Sequence, residues 1–257
     1  MTDWQEVFDE ERACVIVPTY NNEATIADVL RRVQAYTRNI IVVNDGSTPA
    51  TMAAIRTLEQ LPEIVDYTPN RGKGYALKMG LRRALELGYR YAVTIDSDGQ
   101  HFPEDIPAVM DCHAANKDAL IVGARNLTAD NMPSKNTFAN KFSNFWFHLQ
   151  TGIRLEDTQS GFRLYPLEKI SLRWPITPRY EAELEFLVFA AWRGVPVVSV
   201  PVRVWYPPAE ERVSHFRPFR DFFRITVLNS VLTIFALFTF IPARLIRKIS
   251  KSLSRQT

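Results

Sequence analysis

The sequence predicts an α/β domain with a mostly parallel central sheet flanked by helices on both faces, and three observations support this. Short apolar runs rich in β-branched residues alternate with segments whose apolar residues recur at helical spacing, the pattern left by crossover-connected strands. Polar clusters follow four of these runs, at Thr19–Glu23, Asn44–Ser47, Pro69–Lys73 and Asp96–His101, and such sheets bind ligands outside the carboxyl ends of their strands. The 257 residues are 46% hydrophobic and 23% charged, which allows a full core and excludes a disordered chain.

The elements follow in order. Ala13–Pro18 is the first strand, ending in Thr19-Tyr20-Asn21-Asn22, and Ile26, Val29, Leu30 and Val33 mark a helix behind it. Ile40–Val43 is the second strand, closed by the turn cluster Asn44-Asp45-Gly46-Ser47. A helix through Ile55 and Leu58 precedes a weaker strand at Ile64–Thr68. Leu77, Leu81, Ala84 and Leu85 mark a longer helix with Gly88 as its stop. Tyr91–Ile95 runs straight into Asp96-Ser97-Asp98-Gly99, and a helix with Ile106, Val109 and Met110 leads to a strand at Ala119–Val122. Beyond these, Phe138, Phe142, Phe145, Trp146 and Leu149 form a bulky helical face suited to a core or a membrane-adjacent surface. Glu181–Arg193 reads as a helix, and Val195–Val204 as a strand broken by Pro196 and Pro201.

The net charge of +3 hides a division. From Arg212 onward, nine Lys/Arg face one acid, giving +8 and leaving −5 for the rest. That asymmetry suggests a basic tail meeting an anionic surface. Inside it, Ile225–Ala243 is uncharged, and as a helix it would be about 28 Å long, close to the thickness of a bilayer's hydrocarbon layer. A span, a helix in the interface and a re-entrant segment all fit, as does a core-packing helix with a solvated tail. Arg217, Arg220, Phe216 and Phe219 before it and Arg244, Arg247 and Lys248 after it suit anionic headgroups. Nucleic acid is disfavoured, because the rest of the chain is acidic and carries no recognition motif. Met1 to Arg12 lacks the apolar segment of a signal peptide, and Cys14 and Cys112 read as small core residues, consistent with a reducing compartment.

Asp96-Ser97-Asp98 is the sharpest chemical feature. Two carboxylates so close repel unless a cation lies between them, and hard oxygen ligands suit Mg²⁺ or Mn²⁺ shared with substrate phosphates. Gln100 or His101 would supply a further ligand. The bland alternative is a turn with solvated acids. Asn70-Arg71-Gly72-Lys73-Gly74 offers cations and backbone N–H groups to a phosphate at the start of a helix. It matches neither the P-loop nor the dinucleotide-binding glycine pattern.

With these runs in view, the chain resembles the family-two glycosyltransferases of the GT-A fold. The resemblance is carried by Val15-Ile16-Val17-Pro18-Thr19-Tyr20-Asn21-Asn22-Glu23, Val43-Asn44-Asp45-Gly46-Ser47, Asn70–Gly74 and Asp96-Ser97-Asp98-Gly99-Gln100. A fifth run, Asp157-Thr158-Gln159-Ser160-Gly161-Phe162-Arg163, is similar to the branch of dolichyl- and polyprenyl-phosphate mannose or glucose synthases. The resemblance implies that Pro18, Tyr20 and Glu23 surround the nucleotide base and ribose and that Asp45 hydrogen-bonds the base. It implies that Asp96, Asp98 and Gln100 hold a divalent ion (Mg²⁺ or Mn²⁺), with Lys73 on the nucleotide side. Arg125, Ser160 and Arg163 would face the diphosphate or an acceptor phosphate, and Arg217 is a further candidate substrate-binding residue. Asp157 would be the general base if the acceptor is a hydroxyl, or else a loop acid holding backbone N–H groups.

The implied reaction is an inverting hexose transfer from a UDP- or GDP-hexose to a lipid-linked acceptor, polyprenyl phosphate first, at the cytoplasmic membrane face. A glycolipid or saccharide hydroxyl is the alternative acceptor, and a non-catalytic nucleotide-sugar-binding module or a nucleotidyltransferase the alternative activity. Residues 1–212 would form the catalytic domain and 213–257 a membrane-associating segment. Two departures weaken the expected grip on phosphate: Lys135 and Lys141 stand where the branch often has an arginine, and His215 replaces a common lysine.

Overall fold

The computed structural model describes residues 2–125, 134–173, 176–206, 218–240 and 242, with backbone alone for 134–138 and 218–222. Strands β1 (Ala13–Thr19), β2 (Ile40–Asp45), β3 (Glu63–Tyr67), β4 (Tyr91–Thr94), β5 (Leu120–Arg125), β6 (Arg163–Pro166) and β7 (Val197–Val202) form one sheet in the order β3-β2-β1-β4-β6-β5-β7. All neighbouring pairs are parallel except those of β6, which runs antiparallel to β4 and β5. Arg163 at the start of β6 lies opposite Thr94 and Val122. The loop that precedes β6 therefore enters at the same edge as the carboxyl ends of the parallel strands.

Alternate residues of each strand supply two cores. Ile16, Ile41 and Val43 face Leu77 and Leu81 of α4 (Lys73–Glu86) and Leu184 and Leu187 of α7 (Glu181–Trp192). Val15, Val17, Ile40 and Val42 face Phe8 of α1 (Trp4–Glu10), Leu30 of α2 (Ile26–Gln34) and Ile106 and Val109 of α5 (Ile106–Ala115). Burial on both faces explains the near-continuous apolar strands, and each such side chain contributes about 1.5–3 kcal/mol.

The expected helices and parallel strands are present, with shifted ends. The helix α3 (Pro49–Ile55) stops at Ile55, and Leu58 is buried in the turn behind it. Gly88 takes a φ of 83° just past α4. Cys14 is buried and Cys112 half-buried, both as free thiols. The sequence reading had neither β6 nor α1. The helix α1 forms on an Asp3 cap that accepts from the Gln5 and Glu6 N–H groups.

The C-terminal helix α8 (Pro218–Phe235), extended by a π-turn at Ala236–Phe240, packs on α6 (Ser134–Thr151) and α7. Asn229, Leu232 and Ala236 form its buried face, and Gln150 of α6 donates to the Asn229 carbonyl (3.1 Å) and to Thr233 Oγ1 (3.1 Å). Phe223, Val231, Ile234 and Phe238 are exposed on α8, as are Phe145 and Leu149 on α6. The boundary expected at 212/213, the side chains of Lys135 and Phe138, and His215, Arg217 and Arg244 to Arg255 lie outside the described residues.

Helix α4 reaches the sheet through Gly80, where an added Cβ would sit 2.6 Å from Ile16 Cγ2 and 3.0 Å from Val43 Cγ2. Gly80→Ala is therefore expected to lower stability by about 1–3 kcal/mol through overpacking, read as an earlier midpoint in urea. An unchanged midpoint would show that α4 has room to lift from β1 and β2.

Candidate functional site

A cavity of about 650 Å³ opens at the carboxyl edge of the parallel strands. Pro18 lies near the end of β1 and Tyr20 follows it, Asp45 ends β2, Lys73 opens α4, Asp96, Asp98 and Gln100 follow β4, and Arg125 ends β5; all eight line it. Asn22, Gln159, Arg179, Tyr180 and Glu183 complete much of the wall.

Side-chain hydrogen bonds join the loops to one another. Thr48 N–H donates to Asn21 Oδ1 (2.9 Å), Asn22 Nδ2 donates to Ser97 Oγ (2.7 Å), and Thr25 Oγ1 donates to the Ser97 carbonyl (2.6 Å). Asp45 holds the loop before α4, its carboxylate accepting from Arg71 N–H (2.7 Å), Gly72 N–H (2.8 Å) and Asn70 Nδ2 (2.8 Å). Burial pushes the Asp45 carboxyl up, against the pull of those N–H groups.

Lys73 lies between two acids. Its Nζ is 2.8 Å from Asp96 Oδ1, 2.9 Å from Asp96 Oδ2 and 3.1 Å from Glu183 Oε1. Burial works against the ammonium, but Asp96 and Glu183 outweigh it and hold its pKa above the usual lysine value. Burial likewise opposes ionisation of Asp96, and Lys73 again wins, keeping that carboxyl below its usual range. Among the described residues Asp98 has no such partner. Burial, and then the charge of Asp96, push it up to about 6. Its Oδ1 accepts from Gln100 N–H (3.0 Å). His101, buried beside Phe162, is pushed down to about 4 by burial.

Four expected residues stand elsewhere. Arg163 is fully buried and donates to the carbonyls of Ser160 (2.7 Å), Thr158 (2.9 Å) and Glu183 (2.6 Å), so it braces the loop instead of facing a phosphate. Ser160 is buried, its hydroxyl accepting from Phe162 N–H (3.3 Å). Asp157 is buried and accepts from Arg125 Nε (2.5 Å), Arg125 Nη2 (3.1 Å), Asn140 Nδ2 (2.5 Å) and Gln159 N–H (2.9 Å). Burial would raise its carboxyl, but Arg125 holds it below the usual range, so Asp157 is poorly placed as a base and instead aims Arg125. Glu23 is exposed, is not among the residues lining the cavity, and accepts from Thr51 Oγ1 (3.2 Å). Arg217 lies outside the described residues.

Arg179 and Glu183 escaped the sequence reading, although a signal was present. Glu181, Glu183 and Glu185 are acids at alternate positions of an otherwise apolar helix, and all three are buried. Acids are rarely buried without partners.

The model of the glycosyl transferase family 2 domain matches residues 14–165, more than half of the chain. The chain belongs to this family. Among relatives of the family, the UDP-N-acetylglucosamine–dolichyl-phosphate N-acetylglucosaminyltransferase of Methanococcus voltae is 30% identical over 75% of this chain and 85% of its own. The polyprenol monophosphomannose synthase of Mycolicibacterium smegmatis is 30% identical over 75% of this chain and 77% of its own. Glucosyl-3-phosphoglycerate synthase from Mycobacterium tuberculosis, solved with Mn²⁺, UDP-glucose and phosphoglyceric acid, superposes with a TM-score of 0.62 at 18% identity, covering 91% of this chain and 82% of that one. At that identity the likeness is one of fold, the GT-A-type α/β fold.

Because folding raises the Asp98 pKa, the native state holds an extra proton between about pH 4 and 6, and metal-free stability falls as pH rises through that window. Asp98→Asn is therefore expected to stabilise the protein in EDTA near pH 7.5 by on the order of 2 kcal/mol, with the gap closing toward pH 4. Urea titrations of both proteins measure it; equal stability near pH 7.5 would show that Asp98 is not strained by its burial beside Asp96.

Proposed function

We propose that this chain transfers a hexose from a UDP- or GDP-hexose to a polyprenyl-type lipid phosphate, with inversion, at the cytoplasmic face of a membrane. The observation that carries this reading is the Asp96/Asp98 pair in a cavity that also holds Lys73, Arg125 and Arg179. The names of the relatives support the lipid phosphate acceptor.

The donor set suits Mg²⁺ or Mn²⁺. Among the described residues, no three His, Cys, Asp or Glu side chains gather into a protein cage. Two carboxylates and the Gln100 amide would hold a small hard cation that takes its remaining ligands from phosphate and water. Burial first, and then the charge of Asp96, oppose ionisation of Asp98, and such a cation would offset both. When bound, the ion neutralises charge growing on the departing nucleoside diphosphate.

The chain's own residues do the rest. Asp45 fixes the loop that presents Lys73 and the N-terminus of α4, an end that favours phosphate. Arg125, aimed by its two-point pairing with Asp157, and Arg179 add positive charge along the wall. Among the described lining residues, Asp45 is engaged by its loop and Asp96 and Glu183 by Lys73, and Asp98 would be engaged by the ion. That leaves no idle base to deprotonate a hydroxyl and favours an acceptor oxygen already ionised, as in a phosphate monoester. The exposed apolar face of α8, with Phe145 and Leu149 beside it, supports a helix seated in the membrane surface, since its other face is packed on α6 and α7.

Purified protein with liposomes containing polyprenyl phosphate, Mn²⁺ and labelled nucleotide hexoses tests the reading. Label is expected in the lipid extract, lost with EDTA, reduced by about 10² or more in Asp98→Ala, and released by mild acid. Acid-stable label would move the acceptor to a hydroxyl, and no transfer from any donor would refute the lipid phosphate reading.

A further inference from the structure

The contact between Lys73 and Asp96 has a consequence for metal binding. An ammonium touching both oxygens of one carboxylate competes for them with any second cation. Asp96 and Glu183 share one ammonium, and Asp98 lines the same cavity beside Asp96, so the carboxylates on this part of the wall outnumber its lysine and attract a divalent ion. The ammonium must then leave Asp96 without leaving the cavity. On the side of the loop before β6 it has no room: an added Cβ on Gly161 would lie 2.6 Å from Asp96 Oδ2 and 2.8 Å from Lys73 Nζ. On the other side, Glu183 Oε1 is already within 3.1 Å.

We propose that Lys73 is the resident counter-ion of the metal-free site and shifts from Asp96 onto Glu183 as the divalent ion binds, so that Glu183 is a positioning residue that sets metal affinity through Lys73. The inference rests on the metal-dependent reading above. It makes the site self-compensating: the Lys73 contacts hold Asp96 aimed while the site is empty.

Mn²⁺ titration followed by the paramagnetic resonance signal of the free ion reads this directly, on wild type, Lys73→Met, Glu183→Gln and the double variant, with and without UDP. Loss of the competing cation is expected to tighten Mn²⁺ binding without nucleotide about tenfold in Lys73→Met. Glu183→Gln is expected to weaken it several-fold in the wild-type background and to have little effect in the Lys73→Met background. Unchanged or weaker binding in Lys73→Met would overturn the inference. So would an equal effect of Glu183→Gln in both backgrounds, because Glu183 would then act by its own charge. Glu183→Gln is nearly isosteric and keeps the test open if Lys73→Met fails to fold. Wild type that takes up no Mn²⁺, even with UDP, would remove the metal-dependent reading itself; wild-type uptake with no cycle effect would remove the inference alone.

Discussion

Two carboxylates placed two residues apart at the end of a buried strand repel one another, and the surrounding structure is arranged around that repulsion. Asp96 is relieved by Lys73, while burial and then the charge of Asp96 leave Asp98 with a raised pKa. Holding Lys73 in position requires α4 to lie close on β1 and β2, which Gly80 permits, and the loop before β6 to pass close by, which Gly161 permits. A stability cost is concentrated where chemistry is expected, as in sites that trade stability for function.

The sheet was legible because its strands are buried on both faces and read as unbroken apolar runs. Strands β1, β2 and β4 each end in a polar cluster, and those clusters do line the cavity. Strand β6 was hidden for a physical reason: it has four residues, and its first, Arg163, is a charged side chain whose burial depends on carbonyls of its own loop, Thr158 and Ser160, and of Glu183 on α7. Helix α1 was hidden by its seven-residue length.

The site was legible where local sequence determines direction and illegible where packing does. Asp45, Lys73, Asp96, Asp98 and Arg125 sit at element ends, whose exposure at the sheet edge follows from topology. Asp157, Ser160 and Arg163 belong to a motif adjacent to the cavity, but they turn inward to brace the loop and Arg125. Arg179 and Glu183 reach the cavity only because α7 packs against α4, where Pro178 O accepts from Tyr75 N–H at 3.0 Å. That contact between distant segments is invisible to periodicity. The uncharged C-terminal run was legible as a helix, whereas its docking on α6 and α7 depends on Gln150 and Asn229, two polar residues far apart in sequence.

The central claim is that Asp96 and Asp98 would hold a divalent ion together with a nucleoside diphosphate in this cavity. Diffraction at the manganese absorption edge from crystals grown with Mn²⁺ and UDP tests it most directly. The account expects an anomalous peak in contact with both carboxylates and a phosphate oxygen, with the diphosphate beside Lys73. A diphosphate bound with no peak at Asp96 and Asp98, or a peak elsewhere in the molecule, would contradict it.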